Sequence, residues 1–291
     1  MIKNISFYHE YGWKKNETNQ YLIWFKGFIT NNNFDEIAIE ISQITNNERI
    51  TELINSIDGQ FAILILNKIS SKIIVICDKI LSIPIYYYKI QNKIIFMNYP
   101  YKDLKQSLEF ENKNKTLLQL SMSGYCIDKN KIIKNLYKIE AGQYAILDNN
   151  SFKKNNYFIF KPWSKIKKNK ELLVNDLNQI LVNSIKKLIK IANNRTIVIP
   201  LSDGLDSRFI ISTLKYLNYK NVICFSYGKK NSSVSQTAYK ISKKLGYKYF
   251  KINVNYKDKK KYFKSKEFLK FIEKSNNFSS ITPLQDVYEI N

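Results

Sequence analysis

The sequence predicts two domains of different class: an α+β domain of layered sheets over residues 1–162, and an α/β domain with a parallel sheet over residues 163–291. Three observations predict this. Short apolar runs divided by polar turns crowd the first half, with few helical patterns among them. From Glu171 onward, helical and strand patterns alternate, which is the order of a parallel sheet. Within that alternation Thr196 to Arg208 reads as strand, tight polar loop and helix: Thr-Ile-Val-Ile-Pro-Leu-Ser-Asp-Gly-Leu-Asp-Ser-Arg.

In the first half, Tyr21 to Phe25 is a strand, followed by Lys-Gly-Phe-Ile around Gly27 and a loop at Asn31-Asn32-Asn33. Phe34 to Ile57 has helical spacing through Ile37, Ile41, Ile44, Ile50, Leu53, Ile54 and Ile57. Asp58 to Leu66 is a turn and a strongly apolar strand, and Lys72 to Asp78 pairs with it antiparallel across Asn67 to Ser71. Pro84 to Tyr88 and Lys93 to Met97 form a second hairpin, and Gln143 to Leu147 a late strand. Lys161 to Lys170 reads as a basic linker.

In the second half, Glu171 to Ala192 is a helix with Leu173, Leu177, Ile180, Leu181, Leu188 and Ile191 along one face. Ile197 to Leu201 is a buried strand, and Phe209, Ile210, Thr213, Leu214 and Leu217 mark the next helix. Val222 to Tyr227 is the second strand, Ser235 to Leu245 a helix stopped by Gly246, and Lys248 to Val254 the third strand. Such alternation predicts a doubly wound sheet with ligands at the carboxyl ends of its strands. Beyond Asn255 the chain is lysine-rich and helical, to Pro283-Leu284-Gln285-Asp286.

The loop carries the chemistry. The first amides of a helix lack intrahelical partners, and the macrodipole favours an anion there. Gly204 permits close backbone approach, and the hydroxyls of Ser202 and Ser207 suit phosphate oxygens. Asp206 repels a phosphate unless Mg²⁺ lies between them, an ion that takes one or two carboxylates plus phosphate oxygens. The plain structural alternative is a strand-to-helix turn with Ser and Asp as ordinary caps.

Composition narrows the classes. With 291 residues, 44% hydrophobic and 14% aromatic, the chain is globular and long enough for two cores. No apolar run reaches the roughly 18 residues of a membrane span, and the N-terminus lacks a signal-peptide core, so a cytoplasmic location is expected. Cys77, Cys126 and Cys224 are far apart and fit buried thiols, and His9 is the sole histidine. The net charge of +23 invites nucleic acid, yet only Arg49, Arg195 and Arg208 are arginines, and lysine runs such as Lys257 to Lys261 fit a solvated face. Neither a membrane nor a nucleic acid is an expected partner.

Ser-Asp-Gly-Leu-Asp-Ser is similar to the Ser-Gly-Gly-Xaa-Asp-Ser loop of the PP-loop ATP pyrophosphatases, and Leu201 to Arg208 most resembles their asparagine synthetase branch. Asp203 departs from the pattern, standing where that family usually has glycine. Phe225-Ser226-Tyr227-Gly228 and Ala238 to Gly246 are similar to that family's second βα unit. In the first half, Asp58-Gly59-Gln60-Phe61-Ala62, Asp78 to Tyr87 and Ile139-Glu140-Ala141-Gly142 resemble, in order, segments of the class II glutamine amidotransferase domain of asparagine synthetases.

The resemblance implies an Ntn-hydrolase-like first domain and an adenine nucleotide alpha hydrolase-like second domain. It implies ATP held by Leu201, Ser202, Asp203, Gly204, Leu205, Asp206, Ser207 and the backbone near Tyr227, with Mg²⁺ on Asp206. Active amidotransferases use an N-terminal cysteine, whereas this chain begins Met1-Ile2-Lys3 and has no apparent Asn-Gly-Glu segment. The first domain is therefore expected to lack glutaminase activity and carries no catalytic residue. Asparagine synthetases continue with a further strand and an acidic loop, so the second domain is expected to be incomplete, with another polypeptide as a possible source of the rest. The expected reaction is adenylation of a small-molecule carboxylate and its amidation by ammonia or an amine. A non-catalytic binding subunit and a tRNA-modifying PP-loop enzyme are the alternatives.

Overall fold

The computed structural model describes residues 4–30, 34–44, 47–91, 93–104, 109–111, 114–126, 132–149, 151–163, 168–229, 232–275 and 278. The loop read at Asn31-Asn32-Asn33, part of the Lys161 to Lys170 linker, and Pro283 to Asp286 lie outside them. The chain forms two compact units, one built mainly from Met1–Trp163 and one mainly from Ser164–Ile272.

The first unit begins with strands β1 (Ile5–Ser6), β2 (Lys14–Glu17) and β3 (Tyr21–Ile29), then helices α1 (Phe34–Gln43) and α2 (Asn47–Ser56). Strands β4 (Gly59–Asn67), β5 (Ile73–Cys77), β6 (Tyr86–Ile90) and β7 (Lys93–Met97) follow. Helices α3 (Pro100–Leu104) and α4 (Asn114–Ser123) and strands β8 (Leu136–Lys138), β9 (Gln143–Asp148) and β10 (Ser151–Asn156) complete it. One sheet has six antiparallel strands in the order β10-β9-β5-β4-β3-β2. The other has the order β1-β7-β6-β8, with β1 parallel to β7.

The apolar runs of β4 and β5 follow from burial on both faces. Ala62, Leu64, Val75 and Cys77 enter a core shared with Tyr87 and Phe96 of the four-stranded sheet. Their neighbours Phe61, Ile63, Ile65, Ile74 and Ile76 face Ile37, Ile41, Ile50 and Ile54 of α1 and α2. Alternate side chains point to opposite faces, so a strand between two layers must be apolar throughout. The outer face of the second sheet packs Tyr86, Met97 and Leu136 with Leu104 and Ile133. The helical pattern from Phe34 to Ile57 thus resolves into two helices. β3 continues through Gly27, whose φ is +111°; a Cβ there would lie 2.0 Å from the Gln60 carbonyl oxygen.

Asp78, 1% exposed, ties the layers at the end of β5. Its carboxylate accepts from the amides of Phe61 (3.0 Å), Ile80 (2.9 Å) and Ser82 (3.1 Å). Its carbonyl accepts from the Gly142 amide at 2.9 Å, ahead of β9. Asp78→Ala leaves the Phe61, Ile80 and Ser82 amides without the carboxylate while the Gly142 bond stays, and a buried donor left unpaired, as at Phe61, costs about 1–3 kcal/mol. We expect a loss of about 3 kcal/mol, read as a lower urea midpoint, whereas exposed Glu52→Ala stays within about 0.5 kcal/mol.

The second unit holds α5 (Lys170–Ala192), β11 (Ile197–Pro200), α6 (Leu205–Tyr216), β12 (Val222–Gly228), α7 (Ser233–Leu245) and β13 (Lys248–Asn253), followed by α8 (Tyr256–Tyr262) and α9 (Lys266–Ser275). The three strands are parallel in the order β11-β12-β13. Ile199, Leu201, Val222 and Cys224 form one core with Ile185 of α5, Ile211 and Leu214 of α6, and Ala238 of α7.

Two expectations from the sequence are corrected by the fold. The sheet is not doubly wound among the described residues. Its second face carries Val198, Ile223, Phe225, Phe250 and Ile252, with Val198 57% and Phe250 56% exposed. Nor is the apolar stripe of α5 buried along its length. Ile185 and Ala192 are buried, but Leu177 is 55% and Ile180 63% exposed. Periodicity establishes that a face is apolar; it does not establish what covers that face.

Candidate functional site

The candidate loop starts where β11 ends. Leu201 donates its amide to the Phe225 carbonyl of β12 at 2.7 Å, and its side chain is buried in the core of the unit. Leu201 therefore anchors the loop by its side chain and can offer only backbone to a ligand. The next residues leave the sheet. Asp203, Gly204, Leu205 and Asp206 are exposed, and Ser202 and Ser207 are half-buried.

Two hydroxyls converge at the turn. Ser202 Oγ and Ser207 Oγ are 3.1 Å apart, and the Ser202 amide donates to Ser207 Oγ at 3.1 Å. Ser202 Oγ also accepts from the Gly204 amide at 3.1 Å. Arg208 Nε donates to the Gly204 carbonyl at 3.1 Å, which holds the guanidinium against the turn. Gly204 is the N-cap of α6 and supplies no side-chain acceptor to the helix amides. A Cβ at Gly204 would sit 3.1 Å from Ser202 Oγ, tight enough to push the hydroxyl aside. The turn thus closes on itself through groups that can exchange these bonds for those of an anion.

Tyr227 lies at the carboxyl end of β12, in register with Ile252 of β13, on the same rim as the loop. Beneath it Ser226 Oγ and the Tyr249 hydroxyl are 2.5 Å apart, and Tyr249 donates to the Ser235 carbonyl at 3.0 Å. This relay fixes β12, β13 and the first turn of α7 together. Sequence reasoning missed it, because nothing in the pattern pairs Ser226 with Tyr249.

Two hydroxyls and the uncapped start of α6 are donors of the kind that would hold a phosphate, and Asp206 is the exposed carboxylate that would hold a Mg²⁺ beside it. Among the described residues there is no group of three metal-ligating side chains. Asp203 adds a second exposed carboxylate to the same loop.

In the first unit, Ser6 Oγ donates to the Asp103 carboxylate at 2.8 Å and the Tyr8 hydroxyl donates to it at 2.5 Å. Lys102 Nζ lies 4.1 Å from the Tyr8 ring centroid. Burial and the neighbouring carboxylate raise the Tyr8 hydroxyl above its ordinary pKa. These are donors around one acid, without a thiol. The three cysteines are free and buried. Burial pushes Cys77 up to about 12 and Cys224 up to about 11.

Residues 41–158 match the family model described as a glutamine amidotransferase domain. Over these residues the chain is similar to glutamine amidotransferase domains. Over 248 residues the chain is 27% identical to the microcin J25-processing protein McjC of Escherichia coli, a match covering 82% of this chain and 44% of the relative. The chain thus spans less than half of that relative's length. A solved glutamine phosphoribosylpyrophosphate amidotransferase from B. subtilis matches 82% of this chain and 47% of its own, at 13% identity and a TM-score of 0.33. A regulatory enzyme of purine biosynthesis matches 81% and 61%, at 10% identity and a TM-score of 0.33. Likeness at that level carries no weight for function. No helix of the described residues is long and apolar enough to cross a membrane.

Thiol reactivity gives a direct check. A thiol with pKa 12 is ionised at pH 8 in only about one part in ten thousand. In the folded chain Cys77 and Cys224 are expected to resist iodoacetamide at pH 8, and to be alkylated fully in urea. Rapid modification of either under native conditions contradicts their burial.

Proposed function

We propose that this chain carries the nucleotide-binding part of an ATP-dependent amide-forming ligase. The observation that supports this most is the exposed turn Ser202–Ser207 at the carboxyl end of a parallel strand, with two serine hydroxyls 3.1 Å apart at the uncapped start of α6. The Ser202 and Ser207 hydroxyls and the first amides of α6 bind the pyrophosphate part of ATP. Asp206 holds Mg²⁺, which neutralises phosphate charge. A substrate carboxylate attacks the α-phosphorus, pyrophosphate leaves, and an amine or ammonia then displaces AMP to form the amide. The protein's part is positioning and charge stabilisation at the loop.

The microcin-processing relative supports a peptide as the carrier of that carboxylate. The buried, high-pKa thiols support a nitrogen source other than glutamine: free ammonia, or an amine on the substrate. Glutamate release from glutamine is accordingly expected to stay at background. A second reading, a binding subunit that adenylates nothing, is favoured by Asp203, whose carboxylate repels phosphate.

Calorimetry with ATP and Mg²⁺ separates the two readings. Magnesium-dependent binding to the wild type, at least tenfold weaker in Asp206→Ala, supports the ligase reading. Asp203→Gly removes one exposed like charge, worth about 1 kcal/mol at 4 Å in water, so binding is expected to tighten about fivefold. No binding at millimolar ATP by either the wild type or Asp203→Gly sinks the nucleotide site.

A further inference from the structure

The inner face of β3 carries a charge. Leu22 and Trp24 enter the core between the two sheets of the first unit. By the same alternation Lys26 follows them inward, opposite the core residue Ala62 of β4. A lysine is seldom placed so without an acid to pair with it. Lys26 is half-buried, and its ammonium has no hydrogen bond and no ion pair among the described residues. Burial alone acts on it, holding its pKa below the ordinary lysine range, with no neighbouring charge to raise it.

This amine meets a cavity. Trp13, Lys26, Ile83, Pro84, Asn98 and Tyr99 line a space of about 100 Å³ at the end of the layer between the sheets. A water needs about 10–15 Å³ of such space, so the cavity has room for about seven to ten water-sized groups. Its polar lining is one-sided. Asn98 is spent on the backbone of Tyr8, accepting from its amide at 3.0 Å and donating to its carbonyl at 2.8 Å. The Tyr99 hydroxyl donates to the Glu273 carbonyl at 2.7 Å. The indole N–H of Trp13, a residue only 6% exposed, has no acceptor among the described residues. Lys274, in a segment that belongs to the same unit, brings a second ammonium to the wall. No described lining residue is a carboxylate. The open groups are therefore donors and cations, beside the apolar surfaces of Ile83, Pro84 and the Trp13 ring.

We propose that this cavity binds a small carboxylate on a short carbon skeleton, with Lys26 and the Trp13 N–H on its oxygens and Ile83 and Pro84 against its carbons. A carboxylate is acceptor-only, so it answers both donors and neutralises the ammonium at once. A molecule of about six heavy atoms fits the space. Inorganic phosphate offers the same acceptors but no carbon for the apolar wall, which makes it the poorer ligand. The site lies in the first unit and does not depend on the nucleotide reading.

Butyrate is the probe, added to the full chain at constant ionic strength. Trace acetic anhydride at pH 8 acetylates each lysine according to its free-amine fraction and access, and mass spectrometry reads them one by one. Millimolar butyrate is expected to protect Lys26 about fivefold, while exposed Lys257 and Lys260 of α8 react as before. Lys26→Met is expected to weaken butyrate binding by about tenfold or more in calorimetry. The same variant is expected to keep or raise the urea midpoint, because an unpaired, desolvated charge has left the inner face. Equal protection by chloride is screening and overturns the proposal. Stronger protection by phosphate than by butyrate overturns the carboxylate assignment. No protection by any of the three leaves Lys26 a side chain that reaches past the core to water, and overturns the site itself.

Discussion

An apolar strand has two faces to cover, and how each unit meets that demand sets most of its structure. In the first unit β4 and β5 are covered twice, by α1 and α2 on one side and by the four-stranded sheet on the other. Burying each large aliphatic side chain contributes about 1.5–3 kcal/mol, so such a pair of cores outweighs any single polar contact on the surface. In the second unit the described helices α5, α6 and α7 share a core with one face of the sheet. The parallel sheet has its helices on the side of Ile199 and Cys224, and leaves Val198 and Phe250 to solvent.

A double cover creates its own constraint, because amides at the rim of the sandwich still need acceptors. Asp78 answers it where β5 ends. A short acidic side chain reaches back to the Phe61 amide and forward to those of Ile80 and Ser82. The Tyr157 hydroxyl adds a bond to the Cys77 carbonyl at 2.8 Å, one residue earlier. The segment from Asp78 to Tyr87 therefore has a physical reason to look as it does. It begins with an acceptor for its own amides and returns the chain to the inner face at Ile85, which is fully buried.

The strands with the strongest apolar runs were legible in the sequence: β4, β5 and β9 because double burial suppresses alternation, and β12 because the half-buried side chains of its second face are apolar as well. The edge strand β10, Ser-Phe-Lys-Lys-Asn-Asn, was not, since an edge exposed to water needs no apolar residues and pairs by backbone alone. β8 is three residues long, too short to show a period. At the candidate site, residue types and order were legible, including the glycine and both serines. The closure of the turn through Ser202 and Ser207 was not, nor was the Ser226–Tyr249 relay, because each depends on side chains that only the fold brings together. The α5 stripe shows the limit from the other side. Its period was read correctly, and its burial could not be, since burial belongs to a neighbour.

The cost of a second carboxylate at the turn, Asp203, depends on the dielectric around it. Two like charges about 4 Å apart repel by about 1 kcal/mol in water and about 4 kcal/mol in the partly desolvated surroundings of a protein cleft. On the open loop, Asp203 is exposed and its repulsion of a phosphate is small. Were the turn shielded from water, the same carboxylate would become several-fold more costly beside the same phosphate. A shielded site therefore needs a cation for Asp203, such as Arg208 on the adjoining helix. An open site does not. Asp203 is thus compatible with weak anion binding at an open turn, and with tight binding only where a positive charge lies beside it.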